Sequence, residues 1–135
     1  MEDGLIDVLI EGANAAPSPH SLILLFEIKG AIRRLDRDEA AFDHRNVGHE
    51  MSIIANWTDP AADEANIAWT RRTWEAAQPF VSGGVYVNHM TGDEGRQRLI
   101  AAYGAGKYDR LAAIKKKYDP TNFFRMNQNI APASL

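Results

Sequence analysis

Apolar and polar positions divide the chain into helical and extended stretches. Gly4–Ala16 reads as a short helix, with Leu5, Val8 and Leu9 on one face and Asp7 and Glu11 off it. Ala16-Pro17-Ser18-Pro19 ends it, because residues before proline avoid the right-handed helical region. Ser21–Ile28 is strand-like, and Leu22 to Phe26 is apolar on both faces, the pattern of a strand buried on two sides. Gly30 allows a bend, and Ala31–Leu35 reads as a second short strand. Beyond the polar stretch Asp36–Gly48, His49–Trp57 alternates. Met51, Ile53, Ala55 and Trp57 face one way, and Glu50, Ser52, Ile54 and Asn56 the other, as in a half-buried strand.

Thr58-Asp59-Pro60 turns the chain, and either Thr58 or Asp59 can cap the helix that follows. That helix, Ala62–Gln78, carries Ile67, Thr70 or Arg71, Trp74 and Ala77 or Gln78 at helical spacing, and Pro79 stops it. Ser82-Gly83-Gly84 turns into a predicted strand, Val85–Met90. Thr91-Gly92-Asp93 opens a helix, Glu94–Tyr103, and Gly104–Gly106 separates it from a last helix, Tyr108–Tyr118. In that helix Leu111, Ile114 and Tyr118 line one stripe, and Asp119-Pro120 ends it. Crossover helices are too few for a doubly wound sheet. The predicted fold is α+β, an antiparallel sheet with helices packed on one face and an extended C-terminal tail. Residues 1–120 form the domain and 121–135 the tail.

Composition narrows the function classes. The 135 residues suit one domain. The absence of cysteine excludes a disulfide scaffold, a thiolate metal site and a Cys nucleophile. No basic stretch precedes the first apolar run, and no run approaches the ~18 apolar residues of a spanning helix. The reading therefore defaults to a cytoplasmic domain without a membrane partner. Charge is divided unevenly: residues 1–95 carry 7 basic and 16 acidic side chains, residues 96–135 carry 8 and 2. Lys115, Lys116 and Lys117 close a helix, where cations complement the helix dipole. Basic and aromatic residues do not interleave as a nucleic-acid platform requires.

His44, His49 and Glu50 are close in sequence but follow no metal-ligand spacing, so no metal site is expected. Glu50 and Ser52 share one face of an alternating strand. A carboxylate there suits a general base or a polar substrate contact, and a solvated outer face explains it equally well. Tyr86 and Asn88 share a face of the later predicted strand, opposite Val85, Val87 and His89, and can hydrogen-bond a ligand. No GxGxxG, Walker or GxSxG motif is present. The tail Asn122–Ile130 sets dense amides beside Phe123, Phe124 and Ile130. A solvated terminus normally lacks such residues, so the tail is expected in a groove, its amides satisfied by backbone or ligand.

Here the residues resemble a known family. Tyr86-Val87-Asn88, Tyr103-Gly104, Tyr108-Asp109-Arg110-Leu111, Lys115-x-Lys117-Tyr118-Asp119-Pro120-Thr121-Asn122-Phe123-Phe124-Arg125 and Asn127-Gln128-Asn129-Ile130 are similar to the C-terminal signature of berberine bridge enzyme-like flavoproteins. These belong to the vanillyl-alcohol-oxidase type. Upstream, Gly30 sits where the family has a glycine pair, Phe42-Asp43-His44-Arg45 resembles its FPHR, and Asn56-Trp57 ends the matching strand. Asp43 replaces the family's proline, which predicts a looser turn.

The resemblance implies the C-terminal part of an FAD-dependent oxidoreductase. Such an enzyme oxidises an alcohol, sugar or alkaloid-like compound by hydride transfer to flavin. It further implies that Tyr86, Asn88, Asn127 and Asn129 lie beside the flavin and that Ser52 is substrate-facing. Glu50 takes another substrate-side position, and His89 stands where many relatives have a tyrosine base; either is a candidate base. The family's FAD-binding domain has no counterpart here, so the expected partners are a small-molecule substrate and an FAD-binding domain in cis or trans. Met1 then looks like an artificial or misassigned start, and the isolated chain is expected to be inactive. The alternative is a non-catalytic module: a homodimer through an exposed interface, or a separately encoded subunit completing an FAD domain.

Overall fold

The computed structural model describes residues 1–82, 84–90 and 95–134. The fold is α+β. Helices dominate, and the one sheet among the described residues has two antiparallel strands. The chain forms two compact units. One runs from Met1 to Ile28 and resumes at Val47; the other takes Lys29–Asn46 and resumes at Gly84.

The first unit holds α1 (Asp3–Asn14), β1 (Leu22–Glu27), β2 (His49–Ile54) and a long helix, Asp63–Ala77. Leu22 pairs with Ile54, Leu24 with Ser52 and Phe26 with Glu50. Beyond the strands, Ile28 N–H bonds the Gly48 carbonyl at one end (3.0 Å), and Ser21 Oγ accepts from Asn56 N–H (3.2 Å) at the other. Asp59 is the residue that caps: its Oδ1 accepts from Ala61 N–H at 2.9 Å, starting the 3-10 turn Pro60–Ala62 that leads into the long helix.

That long helix does not bury the predicted Ile67–Trp74 stripe. It buries Asn66, Trp69, Thr73 and Ala77 and leaves Ile67 43% and Trp74 38% exposed. The cause lies on α1, whose Leu5, Val8, Leu9 and Gly12 turn inward as expected for the first three. A Cβ on Gly12 would lie 2.7 Å from Thr73 Cγ2, so only glycine permits this approach. Trp69, 1% exposed, donates from Nε1 to the Gly12 carbonyl at 2.8 Å. Ile23 also reaches the Gly12 position, so the helices cover the Ile23 face of the sheet.

The second unit holds α2 (Ala31–Arg34), and its later helices, which take the labels α4 and α5 after α3 (Asp63–Ala77), are α4 (Arg96–Tyr103) and α5 (Ala105–Tyr118). Its core is Met90, Leu99, Ala102 and Tyr108, with Val85, Val87, Ile100, Tyr103 and Ile130 packed on it. Gly104, at φ +78°, ends α4 and starts α5, so α5 begins before the predicted Tyr108. Its inward residues are Tyr108 and Ala112, whereas Ile114 and Tyr118 of the predicted stripe are exposed. The predicted opening of α4 at residues 91–94 lies outside the described residues.

Two predicted strands are helical turns instead. Ala31–Arg34 winds after Gly30 at φ +64°, with Arg33 N–H on the Gly30 carbonyl (3.2 Å). Val87–His89 is a 3-10 turn closed by His89 N–H on the Tyr86 carbonyl (2.9 Å). A strand needs a neighbour to take its backbone groups, and among the described residues neither segment has one.

Candidate functional site

The turn at Val87–His89 rearranges its side chains. A strand would put Tyr86 and His89 on opposite faces; a 3-10 turn brings residues three apart together. Tyr86 and His89 meet edge-to-face with ring centroids 5.2 Å apart. Asn88 Nδ2 donates to the Tyr86 hydroxyl at 2.8 Å. Tyr86 is half-buried, whereas Asn88 and His89 are exposed. One short segment thus presents a phenol, an amide and an imidazole together.

The tail reaches this segment from the same unit. The side-chain amide of Gln128 donates to the carbonyl of Met90, the residue after His89. Asn127, at φ +58°, and Asn129 flank Gln128, and Asn129 N–H closes on the Asn127 carbonyl at 2.8 Å. Farther on, Ile130 packs on the Met90 core and Ala133 N–H bonds the Ala112 carbonyl at 3.1 Å.

The groove expectation fails for the nearer half of the tail. Phe123, Phe124 and Met126 are 78%, 76% and 85% exposed. The Asp119 carboxylate accepts from Phe123 N–H (2.8 Å) and Phe124 N–H (3.0 Å), and Lys115 Nζ donates to both Asp119 and the Phe124 carbonyl. Lys115 and these two amides hold the Asp119 carboxyl below its ordinary range. The backbone is therefore fixed with both phenylalanines turned outward.

Glu50 and Ser52 lie in the first unit, on the sheet face opposite Ile23. Ser52 Oγ donates to Glu50 Oε1 at 2.8 Å, which orients the carboxylate. Both are half-buried, and the face they share with Leu24 also presents a half-exposed Phe26.

Asp43 does not loosen its turn. Its carboxylate takes two hydrogen bonds from Arg37, each 2.9 Å, and lies 3.0 Å from Lys107 Nζ. The Arg37 hydrogen bonds, aided by Lys107, lower its pKa to about 2. The same carboxylate sits 3.2 Å from the position a Cβ would take on Gly104, filling the glycine-rich start of α5 with an anion. A cleft of about 590 Å³ lies here, lined by Arg37, Asp43, Lys107, Arg110 and Ile114 among others, and shares no residue with the Tyr86 cluster.

Asp43, His44, Lys107 and Gln128 shape this unit; the sequence placed the first two and Gln128 in motifs without giving them these roles, and it did not single out Lys107. The density of amides in the tail was the sequence signal for Gln128; the others act across loops. Among the described residues no three His, Cys, Asp or Glu side chains group as a metal site, and no described helix is long and apolar enough to cross a membrane.

Comparisons with known proteins converge on one family. A family model described as "Berberine and berberine like" matches residues 85–131. The chain is 36% identical over 104 residues to YvdP, an uncharacterized FAD-linked oxidoreductase of Bacillus subtilis, covering 77% of this chain and 23% of that protein. It is 34% identical over 120 residues to berberine bridge enzyme-like 17 of Arabidopsis thaliana, covering 78% of this chain and 23% of the relative. Among solved structures, BBE-like 1 of Physcomitrella patens superposes on the whole chain with a TM-score of 0.80 and 26% identity, over 28% of its own length. The chain spans about a quarter of the length of these relatives.

Proposed function

Because the chain belongs to the berberine bridge enzyme-like family, we propose that it forms the substrate-side part of an FAD-dependent oxidoreductase. The enzyme oxidises a small organic substrate, an alcohol, sugar or alkaloid-like compound. The observation that carries this reading is the Tyr86–Asn88–His89 cluster, which lies inside the family match. When bound, FAD supplies the hydride acceptor.

The residues present suit one edge of that cofactor. Tyr86, Asn88, Asn127 and Asn129 offer hydroxyl and amide groups of the kind that pair with ring carbonyls and ring nitrogens. They do not suit its diphosphate, since Asp43 already fills the glycine-rich start of α5. Most of the FAD site therefore lies outside this chain, and the isolated chain is inactive. Residues 1–120 carry the substrate side together with the flavin-facing Tyr86 and Asn88, and 121–135 add the tail's contacts to the flavin.

Two side chains compete for the base. An imidazole ring nitrogen can take a proton from a substrate, which suits the exposed His89. Glu50, oriented by Ser52, suits a carboxylate base on the sheet. In a full-length flavoprotein bearing this chain, His89→Phe slows flavin reduction and removes one limb of the pH–rate profile. An unchanged profile assigns the role to Glu50. Asn88→Ala weakens flavin retention or slows flavin reduction; an unchanged flavin spectrum and rate contradict the assignment.

The exposed Phe123, Phe124 and Met126 support a partner, namely the FAD-binding portion in cis or trans. The same surface favours a second reading, a self-associating module without catalysis. Sedimentation of the purified chain separates them: a stable dimer that gains neither flavin nor activity on adding an FAD-binding portion favours the second.

A further inference from the structure

We propose that His44 is a positioning residue: it clamps the backbone immediately before Tyr86 and so sets the aim of Tyr86 and Asn88. The proposal rests on the reading that this pair faces the flavin. His44 Nε2 lies 2.9 Å from the Val85 carbonyl oxygen, 41 residues away in sequence. A carbonyl only accepts, so Nε2 carries the proton. The imidazole also lies against Gly84, where a Cβ would sit 3.0 Å from His44 Cε1 and 3.2 Å from Nδ1. Glycine there leaves room for the ring.

The same short run holds the ring of Tyr86. Phe42 meets Tyr86 edge-to-face at 5.9 Å and His44 at 6.0 Å. The run is itself anchored. Lys107 donates to the Phe42 carbonyl at 3.0 Å, Asp43 binds Arg37 and Lys107, and Arg45 donates to the Ile32 carbonyl at 2.9 Å. A continuous set of contacts therefore leads from α5 through residues 42–45 to the Tyr86 turn. An exposed amide such as Asn88 holds its direction only if the backbone beneath it is fixed.

The test is NMR on the 135-residue chain. His44 shows the Nε2–H tautomer, and the Asn88 side-chain amide exchanges slowly because it is bonded to Tyr86. His44→Phe keeps a ring and loses the donor. It raises Asn88 amide exchange about tenfold, as expected for one hydrogen bond released, and shifts the Tyr86 ring signals. His44→Gln, which keeps an N–H donor, restores most of both. A role confined to filling space gives the opposite order, with phenylalanine tolerated and glutamine not. The clamp is overturned by an Nδ1–H tautomer, or by Asn88 and Tyr86 signals that ignore His44→Phe. If His44→Phe disorders Leu99 as well, Gly84→Ala decides, because it displaces the ring by tenths of an ångström: moved Asn88 signals support the clamp and unmoved ones overturn it. A clamp upheld by NMR together with a flavin indifferent to Asn88→Ala would overturn the flavin-facing reading and the aim built on it, leaving only a structural contact.

Discussion

In the unit built on β1 and β2, Trp69 donates to a glycine carbonyl and Thr73 fills the space a side chain on Gly12 would need. In the unit that carries Tyr86, Asp43 joins Arg37 to Lys107, His44 reaches Val85, and rings meet edge-to-face. Close packing holds the first, whereas long-range polar and aromatic contacts aim a few groups in the second. The contrast fits a division of labour, with a packed platform under the Glu50–Ser52 pair and a set of braced loops behind Tyr86 and Asn88. It also implies different responses to salt and substitution. All three tryptophans lie in the first unit and all four tyrosines in the second, so each has its own optical reporter.

The largest effect is expected at the packed contact. Trp69→Ala removes the buried ring and its hydrogen bond, and destabilises the first unit by about 3–5 kcal/mol, measured by denaturant unfolding followed by the remaining tryptophans. Gly12→Ala forces a methyl to within 2.7 Å of Thr73 Cγ2. It costs about 1–3 kcal/mol, and the double variant with Thr73→Ser recovers part of the loss. If Gly12→Ala is neutral, close packing of the two helices is not what holds that unit.

The Asp43 ion pair gives the second unit a specific acid response. The Asp43 pKa falls from 3.8 unfolded to about 2 folded. Its contribution is therefore complete above pH 3.8 and is lost as pH falls through about 2. Allowing for the exposed Arg37 partner, Asp43→Asn costs about 1–2 kcal/mol at neutral pH. The variant loses acid sensitivity in that window and some salt sensitivity, both read from tyrosine fluorescence. The smallest effect is local. Asp119→Ala speeds hydrogen exchange at the Phe123 and Phe124 amides, with the Leu99 core signals unchanged; protected amides in the variant would mean another group holds that turn.

Elements with strong local signals were legible in the sequence. Proline marked the ends of α1 and α3, and alternation marked β2, because these depend on neighbours within a few residues. The buried stripes of α3 and α5 were misread. The choice of inward face is made by Gly12 on another helix for α3 and by the Met90–Leu99 cluster for α5, and each helix carries apolar residues on more than one face. Val85–Met90 has the composition of a strand, yet strand geometry depends on a pairing partner that its own residues do not specify. Of the candidate site, Tyr86 with Asn88 and Glu50 with Ser52 were legible as pairs two residues apart. The approach of His89 to Tyr86 was not, since it follows from the 3-10 turn. Nor was the bracing by His44, Asp43 and Lys107, which spans up to 65 residues.

The most direct test of the account exchanges this chain for its counterpart in a relative. In YvdP, the segment matched over 104 residues is replaced by this chain, and the purified, folded chimera is examined for bound flavin and for its anaerobic reduction by alcohols and sugars. The account predicts a yellow protein whose flavin is retained and reduced, with Asn88→Ala impairing one or both. A folded chimera that binds no flavin, or one whose flavin is indifferent to Asn88, Tyr86 and His89 together, would contradict it.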